Sequence, residues 1–204
     1  MRFKIFSESL ARDEIRKIGR DLRDYVIHND IKSVIFLDRS ARPAYLALRE
    51  AWHEEYANIK LPEMYFTNPL AYRRNPESIS RETILSNYPL LEKNDGAPIM
   101  FFDTCMHTGN NMKPVLNAFN KAGFQNIRVG LVHKSRYSSS NIEPNFTIMS
   151  DPVNGCYPFD RDCIIEKPEI PRRGKLTSSR NPDSNERDYS LQIRKEITAL
   201  FNKI

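Results

Sequence analysis

The stretch from Pro98 to Val132 constrains the fold more than any other part of the sequence. It begins with five consecutive apolar residues, Pro98 to Phe102, a run typical of a strand buried on both faces of a parallel sheet. A helical pattern follows, beginning near Asn111 and ending at Gly123, and Ile127 to Val132 is a second apolar strand. This strand–helix–strand unit predicts parallel strands joined by a right-handed crossover.

A second apolar run of the same kind lies earlier in the chain, from Ser33 to Leu37. An amphipathic helix with Ile15, Ile18 and Leu22 on one face is predicted before it. Pro43 opens the helix after it, because the N–H group that proline lacks has no partner in a first helical turn. The predicted fold class is therefore α/β, with a mainly parallel central sheet and helices on both faces.

Two long segments have no apolar pattern that predicts a core. Thr67 to Asp95 is polar with several prolines and arginines, and we interpret most of it as loop, with one short helix from Ser80 to Asn87. Pro168 to Asp188 is rich in Pro, Arg, Ser and Asn and is typical of an arm before a last amphipathic helix. We predict one α/β domain over residues 1–167, followed by a C-terminal arm and helix over 168–204.

Composition disfavours several classes of function. The net charge of +5 suits an anionic ligand but is too small to indicate nucleic acid, which is not expected as a partner. No apolar run approaches the ~20 residues that cross a bilayer, and the first residues turn polar before a signal-peptide core, so no membrane association is expected. Three cysteines without CxxC spacing indicate reduced thiols in a cytoplasmic protein. Four scattered histidines give no reason to predict a protein-bound metal.

Polar loops follow the two clearest strands, at Asp38 to Arg42 and at Asp103 to Asn111. Ligands of parallel α/β sheets bind beyond the carboxyl ends of the strands. The second loop leads into a helix N-terminus, which favours a phosphate, and Gly109 allows close approach of the backbone to a ligand. Asp103 is an acceptor suited to sugar hydroxyls. The alternative is an ordinary connection in which Thr108 and the asparagines only cap the helix.

The segment Ile99-Met100-Phe101-Phe102-Asp103-Thr104-Cys105-Met106-His107-Thr108-Gly109 resembles the phosphoribosyl-pyrophosphate motif of class I phosphoribosyltransferases. That motif is a hydrophobic strand, two acidic residues, three variable residues and Thr-Gly. The resemblance implies that Asp103, and Thr104 in place of the second acid, contact the ribose. It also implies a set of residues that hold the 5′-phosphate, namely Cys105, Met106, His107, Thr108, Gly109 and Asn110.

The same resemblance implies a pyrophosphate site in the first loop, formed by Asp38, Arg39, Ser40, Ala41 and Arg42. There the two arginines would make charge-assisted contacts with phosphate oxygens. The alternative is that one arginine pairs with a nearby carboxylate on the surface.

Three candidate catalytic residues are also implied by the resemblance. Arg73 and Arg74 lie where the family has a flexible loop that closes over the diphosphate, and the alternative is a solvated basic loop. His107 stands where purine-salvage members often place the acid that takes a proton from the base, and the alternative is a loop histidine bonded to water or backbone.

A base-binding half is implied more loosely by the later part of the chain. Lys134 would meet an exocyclic oxygen, and Tyr157 or Phe159 would stack on the base. The alternative is that these aromatic rings belong to the core.

The leading hypothesis is a Mg²⁺-dependent phosphoribosyltransferase that acts between phosphoribosyl pyrophosphate and a nitrogenous base, with a purine as one candidate. The ligand would be phosphoribosyl pyrophosphate or a nucleoside monophosphate, Mg²⁺ would be bound mainly through the diphosphate, and the family analogy implies a homodimer. Two other classes remain open. One is a non-catalytic nucleotide-sensing regulator, which is favoured because Thr104 replaces the second acid of the motif. The other is a nucleotide hydrolase with His107 as base.

Overall fold

The described residues contain five strands: β1 (Ser33–Leu37), β2 (Glu63–Thr67), β3 (Ile99–Met106), β4 (Ile127–Lys134) and β5 (Phe146–Met149). All four pairings are parallel, and the strand order is β2-β1-β3-β4-β5. The protein is represented by a computed structural model that describes residues 9–37, 41–74, 76, 79–106, 108–134, 138–149 and 184–202. The helices are α1 (Ser9–His28), α2 (Arg42–Glu55), α3 (Pro69–Arg74), α4 (Arg81–Asn87), α5 (Leu90–Lys93), α6 (Met112–Lys121) and α7 (Ser184–Phe201).

Helices cover both faces of this sheet, because its central strands alternate apolar side chains between two cores. Phe36 and Phe102 pack in one core with residues of α1, α2 and α7. Ile35, Phe101 and Leu131 pack in the other with residues of α3, α4, α5 and α6. The predicted α/β class with a parallel sheet and two helix layers is confirmed.

Helix α7 packs into the core of the α/β domain. Its residues Ile193, Ile197 and Phe201 are buried against α1 and α2. The helix begins at Ser184, so the arm predicted to reach Asp188 is wrong at its end, and the rest of the arm lies outside the described residues. None of the helices in the described ranges is both long and apolar enough to cross a membrane.

The segment predicted to be mostly loop between β2 and β3 instead carries α3, α4 and α5, so that prediction is wrong. Its two key residues are Tyr72 and Tyr88, both fully buried. The Tyr88 hydroxyl donates to Thr67 Oγ1 at 2.8 Å, and the two tyrosine hydroxyls are 3.2 Å apart. These bonds satisfy polar groups that would be costly to bury alone. The predicted short helix is confirmed as α4, capped by Ser80, whose Oγ accepts from Thr83 N.

This buried tyrosine pair predicts a loss of stability at alkaline pH. Burial raises the pKa of Tyr72 to about 12 and raises the pKa of Tyr88 well above its ordinary value. The unfolded chain ionises near pH ~10. The contribution of each neutral tyrosine to the free energy of unfolding is therefore fully present below that pH. It is lost as the pH rises through the folded-state pKa. We expect the free energy of unfolding to fall over this interval, and to fall less steeply in Tyr88→Phe.

Urea denaturation at a series of pH values measures how steeply the free energy of unfolding falls with pH in the wild type and in Tyr88→Phe. At neutral pH the Tyr88→Phe variant should also lose about 1–2 kcal/mol, because the hydrogen bond to Thr67 is gone. Equal slopes for the two proteins between pH ~10 and ~12 would contradict the role given to Tyr88.

Candidate functional site

The two polar loops singled out from the sequence follow neighbouring strands. The strand order places β1 beside β3, with β2 on one side and β4 and β5 on the other. The winding of the sheet reverses between β1 and β3, and ligands of open α/β sheets bind in the crevice at such a point. The structure therefore brings Leu37 and Met106, the last residues of β1 and β3, to the same edge of the sheet. In the first of the two loops, Asp38, Arg39 and Ser40 lie outside the described residues.

Strand β3 is longer than predicted, so part of the proposed phosphate loop is strand instead of loop. The prediction ended the strand at Phe102, but pairing with β4 continues to Met106, which lies opposite Lys134. Pairing with β1 stops at Phe102. Asp103 and Cys105 are therefore strand residues, and the prediction that they belong to a loop is wrong. The ladder to the eight-residue β4 satisfies their backbone groups.

Asp103 and Thr104 occupy the beginning of this extension and are both buried. The backbone N–H of Thr104 donates to Asp103 Oδ1 at 2.7 Å, which fixes the carboxylate against its own strand. Thr104 adds a hydroxyl but no charge. No three His, Cys, Asp or Glu side chains cluster in the part of the chain that the structure describes. One carboxylate at this point fits a Mg²⁺ ion whose other ligands are substrate phosphates and water.

The turn between β3 and α6 has the geometry of a tight helix entry. Gly109 has a φ of +71°, in the left-handed region. The Thr108 Oγ1 accepts from Asn110 N at 3.3 Å, and Lys113 N donates to Gly109 O at 2.8 Å. Asn111, the N-cap residue, makes no side-chain capping bond, so the capping alternative is wrong for it. An N-terminus without a capping side chain is suited to an anion.

One side of this turn is closed by the segment that follows β4. A β carbon at Gly109 would lie 2.5 Å from Ser140 Oγ, and the same hydroxyl lies 3.5 Å from Met106 Sδ as donor. Gly109 therefore makes room for Ser140 as well as supplying the positive φ. Thr108 and Asn110 are exposed on the remaining side. A phosphate reaching the turn must approach from that side.

Two of the basic residues predicted to bind the pyrophosphate and the base, Arg42 and Lys134, have partners in the structure. Arg42 is only 2% exposed, and its guanidinium carbon lies 5.5 Å from the centre of the Phe66 ring. Ala41 is buried beside Arg42. Lys134 Nζ forms an ion pair with Glu143 Oε1 at 2.7 Å.

The candidate catalytic arginines lie in the last turn of α3, and both are exposed. Arg73 lines a groove that it shares with Asn110, a residue of the turn before α6. Arg74 is not among the residues that line this groove. The other predicted site residues outside the described part of the chain are His107, Tyr157 and Phe159.

Three residues near the site were missed from the sequence: Lys113, Ser140 and Glu143. The run Ser138-Ser139-Ser140, which begins four residues after the end of β4, is the one local signal of a turn there. Lys113 and Glu143 gave no signal, since isolated charged residues are common on surfaces.

No known protein-family model matches this chain, and no curated protein matches it by sequence. Among solved structures, a hypoxanthine phosphoribosyltransferase from Staphylococcus aureus is similar with a TM-score of 0.49 and 9% identity, over 70% of this chain and 75% of that one. A purine phosphoribosyltransferase from Pyrococcus horikoshii has a TM-score of 0.42 and 9% identity, over 66% of this chain and 80% of that one. The hypoxanthine phosphoribosyltransferase from Trypanosoma cruzi, solved with the product IMP, has a TM-score of 0.43 and 10% identity. This similarity covers 70% of this chain and 72% of that one.

These structures are of the family that the Ile99 to Gly109 segment resembles. At such identities the likeness concerns the fold alone. The α/β assignment rests on the strand order and the two helix layers of this chain.

Proposed function

We propose that this chain is a phosphoribosyltransferase, which binds phosphoribosyl pyrophosphate at the carboxyl ends of β1 and β3 and transfers its phosphoribose to a nitrogenous base. One observation carries the proposal. The turn from Thr108 to Asn111 opens α6 at the point where the winding of the sheet reverses, and Asp103 lies in the preceding strand just past its last pairing with β1. That arrangement offers a helix N-terminus to a phosphate and a carboxylate to ribose hydroxyls.

The chemistry asked of these residues is mainly positioning and charge stabilisation. The bond from ribose C1′ to the pyrophosphate oxygen breaks, a nitrogen of the base forms the new bond to C1′, and the pyrophosphate leaves with its electron pair. Asp103 orients the ribose, and Thr108 and Asn110 hold the 5′-phosphate. Arg39 and Arg73 stabilise the leaving charge. His107 takes the proton that the base gives up.

Mg²⁺ supplies further charge neutralisation when it is bound with the diphosphate. Thr104 offers no second carboxylate, so the chain holds the ion mainly through its substrate. On the base side, the pairing of Met106 with Lys134 supports a role for Lys134 at the base, with Tyr157 or Phe159 stacking on it. A purine, a homodimer and a cytoplasmic location are parts of this proposal that rest on the family resemblance.

The test is an assay of the full chain with phosphoribosyl pyrophosphate, Mg²⁺ and a panel of purine and pyrimidine bases. Formation of a nucleoside monophosphate with release of pyrophosphate is the expected result. Nucleotide binding without turnover would favour the regulator instead, in line with Thr104, and release of free ribose phosphate would favour a hydrolase. Absence of any binding at millimolar donor would overturn the proposal.

A further prediction concerns the ion pair between Lys134 and Glu143, on the proposed base side of the site. Glu143→Gln removes a negative charge next to an anionic ligand and releases Lys134. We expect the affinity for a nucleoside 5′-monophosphate to rise about threefold or more, which corresponds to roughly 0.7 kcal/mol, within the range of an exposed ion pair. Calorimetric titration measures the change.

A matched control is Asp95→Asn. It breaks the similar pair between Arg81 and Asp95, which are 2.9 Å apart and lie near the opposite end of β3. This variant should bind the nucleotide as the wild type does. Weaker binding in Glu143→Gln would mean that Glu143 itself contacts the ligand.

A further inference from the structure

A groove of about 420 Å³ lies between α3 and α6, and part of its wall is cationic. Among the described residues, those that line it include Arg73, Lys113 and Lys121 and no carboxylate. Asn110 and Asn117 add polar groups, while proline and alanine side chains form part of the wall. Such a lining suits a ligand that carries several negative charges.

The cationic side of the groove follows one face of α6. Lys113, Asn117 and Lys121 recur every four residues, which places them above one another on the helix, and Asn110 lies in the turn before it. At 1.5 Å per residue, the row on the helix extends for about 12 Å. It begins at the turn proposed to hold the 5′-phosphate and leads away from it.

The two cations at the near end of the groove have no carboxylate partner among the described residues. Arg20 pairs with Glu54 at 2.8 Å and Arg81 with Asp95 at 2.9 Å, whereas neither Arg73 nor Lys113 forms an ion pair within the described ranges. Lys113 also lies in the first turn of α6, which contains no acidic residue. The helix dipole disfavours a cation there, and a bound anion would offset this disadvantage.

We propose that the groove between α3 and α6 binds an oligophosphate chain, as carried by a nucleoside triphosphate or by inorganic polyphosphate. Consecutive phosphates would meet Arg73 and Lys113 near the turn and Lys121 at the far end, with Asn117 donating between them. The groove shares Arg73 and Asn110 with the proposed phosphoribosyl site, but its oligophosphate binding does not depend on the phosphoribosyltransferase proposal.

The test uses calorimetric titration of the full chain with inorganic tripolyphosphate and, separately, with ATP. Lys113→Glu should weaken both at least tenfold. Glutamate in a first helical turn is favoured by the helix dipole, so this variant should keep or raise its melting temperature, and loss of binding is then not loss of fold. Lys195→Glu is the matched control, because Lys195 is an exposed lysine on α7, away from the groove, and it should bind as the wild type does.

The outcomes separate the ligand sources and the two proposals. Tighter binding of ATP than of tripolyphosphate identifies a nucleotide, and equal binding identifies the phosphate chain alone. Absent binding at millimolar concentration, unchanged binding in Lys113→Glu, or tighter binding of a single-stranded RNA oligonucleotide would overturn the groove proposal. Ribose 5-phosphate reports on the turn instead, so tripolyphosphate that binds while ribose 5-phosphate does not would overturn only the phosphoribosyl site.

Discussion

Replacing Gly109 with valine is expected to weaken the binding of a nucleoside 5′-monophosphate about 100-fold or more, which is roughly 2.7 kcal/mol. A β-branched side chain is strained at the φ of +71° that Gly109 adopts. Its β carbon would also lie 2.5 Å from Ser140 Oγ. The turn must therefore shift, and the N–H groups at the start of α6 shift with it. Calorimetric titration measures the affinity of the variant.

The matched control is Gly96→Val. Gly96 has a similar φ of +79°, but nothing lies within 4 Å of its β carbon position, and it precedes β3 at the edge opposite the site. This variant should lose stability through backbone strain of about 1–3 kcal/mol, yet keep its nucleotide affinity. If Gly109→Val bound the nucleotide as tightly as the wild type, the 5′-phosphate would not lie at this turn.

Gly19→Ala is expected to lower the free energy of unfolding by about 1–3 kcal/mol. Alanine is favoured over glycine within a helix by about 1 kcal/mol, so propensity alone predicts the opposite sign. The close packing of α1 against α2 and α7 reverses it. A β carbon at Gly19 would lie 2.5 Å from the carbonyl oxygen of Ala47 and 2.9 Å from Phe201 Cζ. The carbonyl oxygen belongs to a helix backbone and cannot yield without moving the helix.

Urea denaturation measures this change, with Asp13→Ala as the control. Asp13 is an exposed residue of the same helix with a long ion pair of 3.6 Å to Arg16, so its loss should change stability by less than about 0.5 kcal/mol. A Gly19→Ala variant more stable than the wild type would show that the three helices are not packed as described.

The parts of the fold that were predicted correctly are those with strong local signals. Strand β1 has the predicted bounds because a strand buried on both faces has a continuous apolar run. Helix α6 begins near Asn111 and ends near Gly123, as predicted. Proline is tolerated only in the first turn of a helix, and glycine is favoured just after the last turn. For the site, the sequence could predict the edge of the sheet and the turn, since both follow from the order of strand, polar segment and helix.

What the sequence could not predict depends on contacts between residues far apart in the chain. Tyr72 and Tyr88 are buried through packing against the sheet and α6, and nothing in their polar surroundings indicates this. The extension of β3 depends on the length of its partner β4. Ser140 reaches Met106 across 34 residues, so the closure of one side of the turn had no local signal.

The most direct measurement is the structure of a crystal soaked with a nucleoside 5′-monophosphate. We expect a 5′-phosphate at the start of α6, within hydrogen-bonding distance of the backbone between Thr108 and Met112, and ribose hydroxyls near Asp103. A nucleotide bound at another edge of the sheet, or a phosphate more than about 4 Å from every N–H group of that turn, would contradict this expectation.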